Sequence, residues 1–309
     1  MEKIFTVAQV IAPIFAAVYL GMYTRKKAII SPEGIQGMQQ FVMSFGLPCV
    51  VFNSCLTANV GVESLGTMLL VAPLMILSTF WAFRARKVRF PYHNFPQLFC
   101  AQETGMLGIP LFIILFGTAQ AYRMGILDLA QATCAYPTIA ILSASSGDNP
   151  TPRQILKKVL SSPFLIMSAL GLALNISGVG KMLDQIGIGG VITEATSFLT
   201  QPVSAMMIFS VGYNFSLSAG NRKTIFHICG IHFIVMVAIG ILVQLGLFLI
   251  PNVTPETRWS ILMYSTLPAS YLAPSLGRTE EEHTIASGVC SLLTVVSLIV
   301  FCVMAIIIA

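Results

Sequence analysis

The chain has 309 residues, of which 56% are hydrophobic and 9% charged, and its mean hydropathy is +0.83. An ordinary soluble domain carries roughly a quarter charged residues, so this composition excludes one and indicates a single integral membrane domain embedded in a lipid bilayer. The net charge of +5 does not indicate a nucleic-acid partner, because the basic residues gather in short connections between apolar runs, where they report topology.

A window of about 19 residues divides the chain into ten apolar spans, near 4–24, 35–57, 65–83, 95–117, 122–144, 158–178, 188–213, 224–250, 258–277 and 284–308. The first span is expected to be a retained helix, since the short Met1-Glu2-Lys3 segment leads into it without a small-residue cleavage site. The longest connection contains Gly147-Asp148-Asn149-Pro150-Thr151-Pro152, a strong turn cluster. It divides a first repeat (1–144) from a second (158–309), with 145–157 as linker. Thirteen Lys and Arg residues fall on the linker's side of the alternating loops and four on the other. The bias predicts a cytoplasmic linker and both termini on the non-cytoplasmic side of a cell (inner) membrane.

The halves resemble each other. Pro13 and Gly21 lie 150 residues before Pro163 and Gly171, Pro48 lies 154 before Pro202, and Pro110 lies 158 before Pro268. An odd number of spans per half inserts the second copy upside down, so the expected fold is all-α with two inverted five-helix repeats.

The fourth span carries Gln102-Glu103-Thr104-Gly105 and ends its motif on Gly108-Ile109-Pro110; the ninth carries Thr266-Leu267-Pro268-Ala269-Ser270. A carboxylate and a proline at membrane depth predict a broken helix beside a polar cavity. Paired breaks in matching positions of two halves are the best sequence pointer to a transporter's binding site.

On these residues, together with Phe41–Pro48 in the second span, Gln201-Pro202 and Gly212 in the seventh and Leu267-Pro268-Ala269 in the ninth, the chain resembles the auxin efflux carrier family, which includes bacterial malonate and malate permease-like proteins. The resemblance covers nearly the whole length. It implies ten helices in inverted repeats, with spans four and nine crossing as broken helices as in bile-acid symporters and sodium/proton antiporters. It also implies elevator-type alternating access and a small organic anion, a carboxylate, as substrate. The family usually has Asn where Glu103 stands, so substrate and coupling ion are open at this position.

The expected substrate-binding residues are Gln102, Glu103, Thr104, Pro110, Thr266, Pro268, Ser270, Pro48 and Gln201, with Glu103 and Asp128 as candidates for a coupling ion, H⁺ or Na⁺. Each has a plainer reading. The plainer reading of Glu103, ranked behind the functional one, is a protonated structural residue; that of Gly105 and Gly108 is a close-packing surface, and that of Thr266 and Ser270 is hydroxyls bonded to their own helix. Thr266 and Ser270 share a face only if the segment is helical. Asp128 reads first as a partner of Arg123 near the outer surface. Asn53 and Asn214 are weaker candidates.

The seven cysteines read as small core residues, Glu280-Glu281-Glu282 as a solvated helix cap, and the four histidines as incidental, with no metal-ligand spacing. No cofactor is implied. The chain has no Gly-x-Ser-x-Gly, His-Glu-x-x-His, phosphate-loop or dinucleotide motif, so an enzyme is not expected. The expectation is a secondary active transporter of a small organic anion, proton-coupled through Glu103. The alternatives are a Na⁺-coupled carrier or cation exchanger with Glu103 as cation ligand, and a non-transporting receptor. A homodimer is an option by analogy with related folds alone.

Overall fold

A computed structural model describes residues 2–58, 61–144, 153–154, 157, 161–215 and 221–308. Linker residues 145–152 and the Asn149 turn cluster lie outside them. Among the described residues the fold is all-helical, with a lone antiparallel bridge between Gln102 and Ala269 in place of any strand.

The helices are α1 (Glu2–Lys26), α2 (Pro32–Phe41), α3 (Leu47–Thr57), α4 (Val62–Val88), α5 (Gln97–Cys100), α6 (Ile109–Phe116), α7 (Ala121–Ala144), α8 (Pro163–Ile176), α9 (Val179–Gln185), α10 (Ile188–Thr200), α11 (Val203–Asn214), α12 (Arg222–Gly246), α13 (Pro255–Tyr264) and α14 (Glu280–Ile308). Six stretches among the described residues are long and apolar enough to cross a membrane: Val7–Lys26, Pro32–Thr57, Val62–Val88, Thr118–Ser143, Arg222–Leu249 and Glu280–Ile308. Of the other four expected spans, the fourth breaks at 101–103, the seventh breaks at Gln201-Pro202, the ninth leaves helical geometry after Tyr264, and the sixth is represented by the short α8.

Proline explains two irregularities. Without an N–H, and with a ring that collides with the carbonyl four residues back, it cannot sit inside a regular ladder. Before Pro48 and before Pro110 the chain widens into π-turns, Val42–Gly46 and Thr104–Gly108, where Leu47 N–H reaches Val42 O and Ile109 N–H reaches Thr104 O. The wide turn absorbs the collision without breaking the helix. Pro110 therefore does not cause the break in the fourth span, which falls seven residues earlier in sequence.

Two helix pairs form a close-packed frame, α1 with α11 and α3 with α8. Gly21 on α1 faces the backbone of Phe209 and Tyr213, and a Cβ there would overlap the Phe209 carbonyl. Gly212 meets the Val18 backbone in the same contact. In the second pair a Cβ on Gly171 would come within 2.6 Å of the Phe52 carbonyl oxygen. Each pair is also capped alike: Arg25, ending α1, donates to the carbonyls of Tyr213 (3.3 Å) in the last turn of α11 and Phe215 (2.9 Å) just past it. Asn175, ending α8, donates to Cys55 (2.9 Å) and Ala58 (2.6 Å) at the end of α3. The remaining long helices pack α4 against α7 and α12, and α12 against α14. The six cysteines outside position 302 are buried and all seven are free thiols, consistent with small core residues.

Candidate functional site

The two broken segments meet backbone to backbone. Glu103 N–H donates to Pro268 O at 2.8 Å, and Ser270 N–H donates to Ala101 O at 3.0 Å. Residues 101–103 leave helical geometry between α5 and the turn at Thr104, so the Ala101 carbonyl and the Glu103 N–H pair across the crossing, while the Glu103 carbonyl accepts from Gly108 N–H at 3.1 Å. Pro268, lacking an N–H, contributes the carbonyl alone. On one side of this crossing lie the longer halves, α6 and α13; on the other, α5 and the short 3₁₀ turn Pro274–Leu276.

Polar side chains secure the crossing from three directions. The Glu103 carboxylate accepts from Tyr271 N–H (2.8 Å) and from Met106 N–H (3.2 Å), joining the two segments. Gln131 on α7 accepts from Gln102 N–H (2.7 Å) and the Tyr264 hydroxyl (2.9 Å). Its amide nitrogen donates to Gln102 O (3.0 Å), Thr104 Oγ1 (3.1 Å) and Asp128 Oδ1 (2.9 Å). The Thr104 hydroxyl also donates to Asp128. The Gln102 amide is set by the carbonyls of Leu267 (2.9 Å) and Pro268 (3.0 Å), leaving its oxygen toward the buried His232 ring.

A cavity of about 470 Å³ adjoins the crossing, lined by Gln102, Glu103, Thr104, Asp128, Gln131 and Ser270, with Gln39 and Asn214 on the frame side. It holds two carboxyl groups, and among the described residues none that line it is Lys, Arg or His. Oxygen and amide groups of this kind suit a proton or a hard cation, or an anion accompanied by one.

Several sequence expectations change here. Asp128 does not pair with Arg123, because one and a half helical turns point the two side chains to different neighbours. Arg123 pairs instead with Glu63 at 3.2 Å and contacts Thr257 and Gln120, while Asp128 faces the cavity. Thr266 and Ser270 share no helix face, since 265–273 is non-helical, with the bridge at Ala269 between turns. The Thr266 hydroxyl bonds back to Met263 O at 2.9 Å, its plainer reading. Pro48, Pro110, Thr266 and Pro268 do not line the cavity. Pro48 and Pro110 are buried at the first turns of α3 and α6, and Pro268 acts through its carbonyl. Gln201 is exposed at the break between α10 and α11 and takes no part. Asn53 accepts from Thr196 at 2.7 Å, away from the crossing.

Sequence reading missed Gln131, the best-connected side chain of the site, although a glutamine inside an apolar span was a signal. It also missed two carboxylates that hold the approaches to the broken segments. Glu63 accepts from Thr254 N–H (2.9 Å) before α13. Glu282 is buried rather than solvated and accepts from His93 N–H (2.5 Å) before α5 and from Arg278 N–H (2.7 Å).

In comparisons with family models and with curated proteins, the chain matches none.

Proposed function

We propose that the chain is a secondary active membrane carrier whose binding site lies at the crossing of its broken fourth and ninth spans, with a small organic anion, a carboxylate, as cargo. The observation that carries this reading is the Gln102–Ala269 bridge, at which two interrupted apolar segments expose main-chain and carboxyl groups to a polar cavity. It agrees with the likeness to auxin efflux carriers and malonate or malate permease-like proteins.

The reading includes an inverted repeat of ten spans. Under that repeat, pairing of α1 with α11 is the mate of α8 with α3, and Arg25 and Asn175, 150 residues apart, cap equivalent helix ends. The longer halves of both crossing segments then lie toward the non-cytoplasmic side by the positive-inside rule, and the cavity opens on the cytoplasmic side. That asymmetry describes one end-state of an alternating-access cycle, with the α1, α3, α8 and α11 frame as the stationary part.

Proton coupling through Glu103 is the first reading: an ionised Glu103 repels a carboxylate docked beside it, and a protonated one does not. A second reading, Na⁺ coupling or cation exchange, is favoured by the Glu103 and Asp128 carboxyls sharing a cavity without a basic residue among the described ones that line it. Uptake of carboxylates into proteoliposomes under an imposed proton or Na⁺ gradient decides between them. No gradient-dependent uptake of any acid leaves a binding protein without transport, and the proposal falls.

A further inference from the structure

A second cavity, of about 350 Å³, shares Gln39, Asn214 and Tyr271 with the first. Among the described residues its lining contains no Asp, Glu, Lys or Arg. Besides Cys290 and the exposed His283, its polar side chains are hydroxyls and amides, with Gln36 and Gln39 from α2 on one wall, and Ser287, Ser291 and Thr294 from α14 on the other. The Gln39 amide nitrogen is buried without a hydrogen-bond partner, an arrangement that leaves a donor for something else to meet. Thr294 takes the Tyr271 hydroxyl at 2.7 Å, so Tyr271 forms the partition between the two spaces, with its backbone N–H on Glu103. A third space of about 740 Å³ shares Pro32, Asn214, His283 and Ser287 with the second and has Arg25 in its wall, which extends the acid-free route toward the basic end of α1.

We propose that this acid-free lobe between α2 and α14 is the seat of the transported carboxylate, while the acid-lined lobe holds the coupling cation, the two being joined through Tyr271 and Glu103. The assignment rests on the carrier reading above and deepens it. Two carboxyl groups in the first lobe disfavour an anion there. In the second, hydroxyl and amide donors and His283 face the space without an acidic group among the described residues, and Arg25 biases approach toward anions. The two lobes then take opposite charges at short range, so occupancy of one favours occupancy of the other.

The test fills each lobe in turn. Ser287→Leu occupies the acid-free lobe from α14, and Ala135→Leu occupies the acid-lined lobe from α7. Purified protein is titrated with potassium salts of short mono- and dicarboxylates at one pH, against potassium chloride, and stabilisation is read by thermal shift. The expected result is that Ser287→Leu weakens the best acid at least tenfold more than Ala135→Leu does, about 1.4 kcal/mol. If either leucine variant fails to fold, Ser287→Asp and Ala135→Asn replace them with the same expected order. Equal losses, or a larger loss at position 135, overturn the assignment while leaving the carrier reading standing. If no acid stabilises the unaltered protein, the carrier reading itself falls and takes this assignment with it.

Discussion

The Glu103 carboxylate holds the backbone N–H of Tyr271 at 2.8 Å across 168 residues of sequence, while its other oxygen accepts from Met106 N–H three residues ahead. One side chain thus fixes both broken segments and presents its charge to the cavity between them. Glu103→Gln keeps a single good acceptor, so it is expected to lower the melting temperature by the equivalent of about 1 kcal/mol. At about 5 Å and an effective dielectric near 20, carboxylate repulsion is roughly 3 kcal/mol, worth about two powers of ten in affinity. Anion binding is therefore expected to strengthen as pH falls in the native protein. In Glu103→Gln it should lose most of its pH dependence, and proton-driven accumulation should vanish. A variant that stops binding anion altogether, in a protein that Na⁺ stabilises, makes the carboxylate a cation ligand.

Pro268 and Pro110 are expected to differ. Pro268 stops α13 from running through the crossing, and an alanine there allows the helix to extend and withdraw the carbonyl that Glu103 N–H needs. Pro110 sits beneath a π-turn away from the break. Pro268→Ala should reduce initial uptake at least tenfold, and Pro110→Ala by less than about threefold. The opposite order places the functional break at Pro110.

Gly21→Ala forces a methyl group into the Phe209 carbonyl, and backbone cannot move aside as a flexible side chain can. A loss of more than about 2 kcal/mol in stability is expected. Gly230 has open space around its Cβ position inside α12, so Gly230→Ala should stabilise by about 0.5–1 kcal/mol. Denaturation in detergent compares the two, and equal effects would refute the close-packed frame.

Arg123 is buried with its guanidinium 3.2 Å from Glu63, which also accepts from the Thr254 hydroxyl at 2.8 Å. Arg123→Met strands that carboxylate and is expected to cost about 3 kcal/mol. The double variant Glu63→Gln/Arg123→Met should recover at least half of it. A double variant as unstable as the single one would show that the Arg123 stem, rather than the charge pair, carries the contact.

His93 lies in the connection after α4, where Arg86 donates to Nδ1 at 2.9 Å and Nε2 faces Leu142 O at 2.9 Å. Burial, with help from Arg86 and Arg278, pushes its imidazole below the ordinary histidine value. The unfolded chain then takes up the proton first as pH drops. Stability associated with His93 is complete above about pH 6.5, the unperturbed histidine value, and drains away below it. His93→Gln should flatten the fall in melting temperature between pH 7.5 and 5.5. Parallel curves would exclude His93 as a titrating contributor.

Much of this was legible in the sequence because lipid is a strict solvent. Apolar runs had to be helices, and a glutamate with flanking polar residues at membrane depth had to find protein partners; Gln102, Glu103 and Thr104 do line a cavity. Proline misled where it was read as a break, because the backbone can absorb one by widening a single turn, as it does before Pro48 and Pro110. Long-range partners such as Gln131 with Gln102, Glu63 with Thr254 and Glu282 with His93 join residues 29 to 191 positions apart, and no local periodicity encodes them. The Asp128 expectation failed for the same reason: the nearest opposite charge in sequence was not the nearest in space.

The crossing at Glu103 and Pro268 is written in main-chain atoms. Any residue other than proline can donate the N–H at positions 103 and 270, and any residue can offer the carbonyl at 101, whereas position 268 keeps its proline to end α13. Side chains at 101, 103 and 270 are consequently at liberty to drift across generations, exchanging a carboxylate for an amide or a hydroxyl, while the main-chain pairing that displays them stays assembled. A protein built on this plan can change the chemistry of its cavity by single substitutions, without passing through an unfolded ancestor.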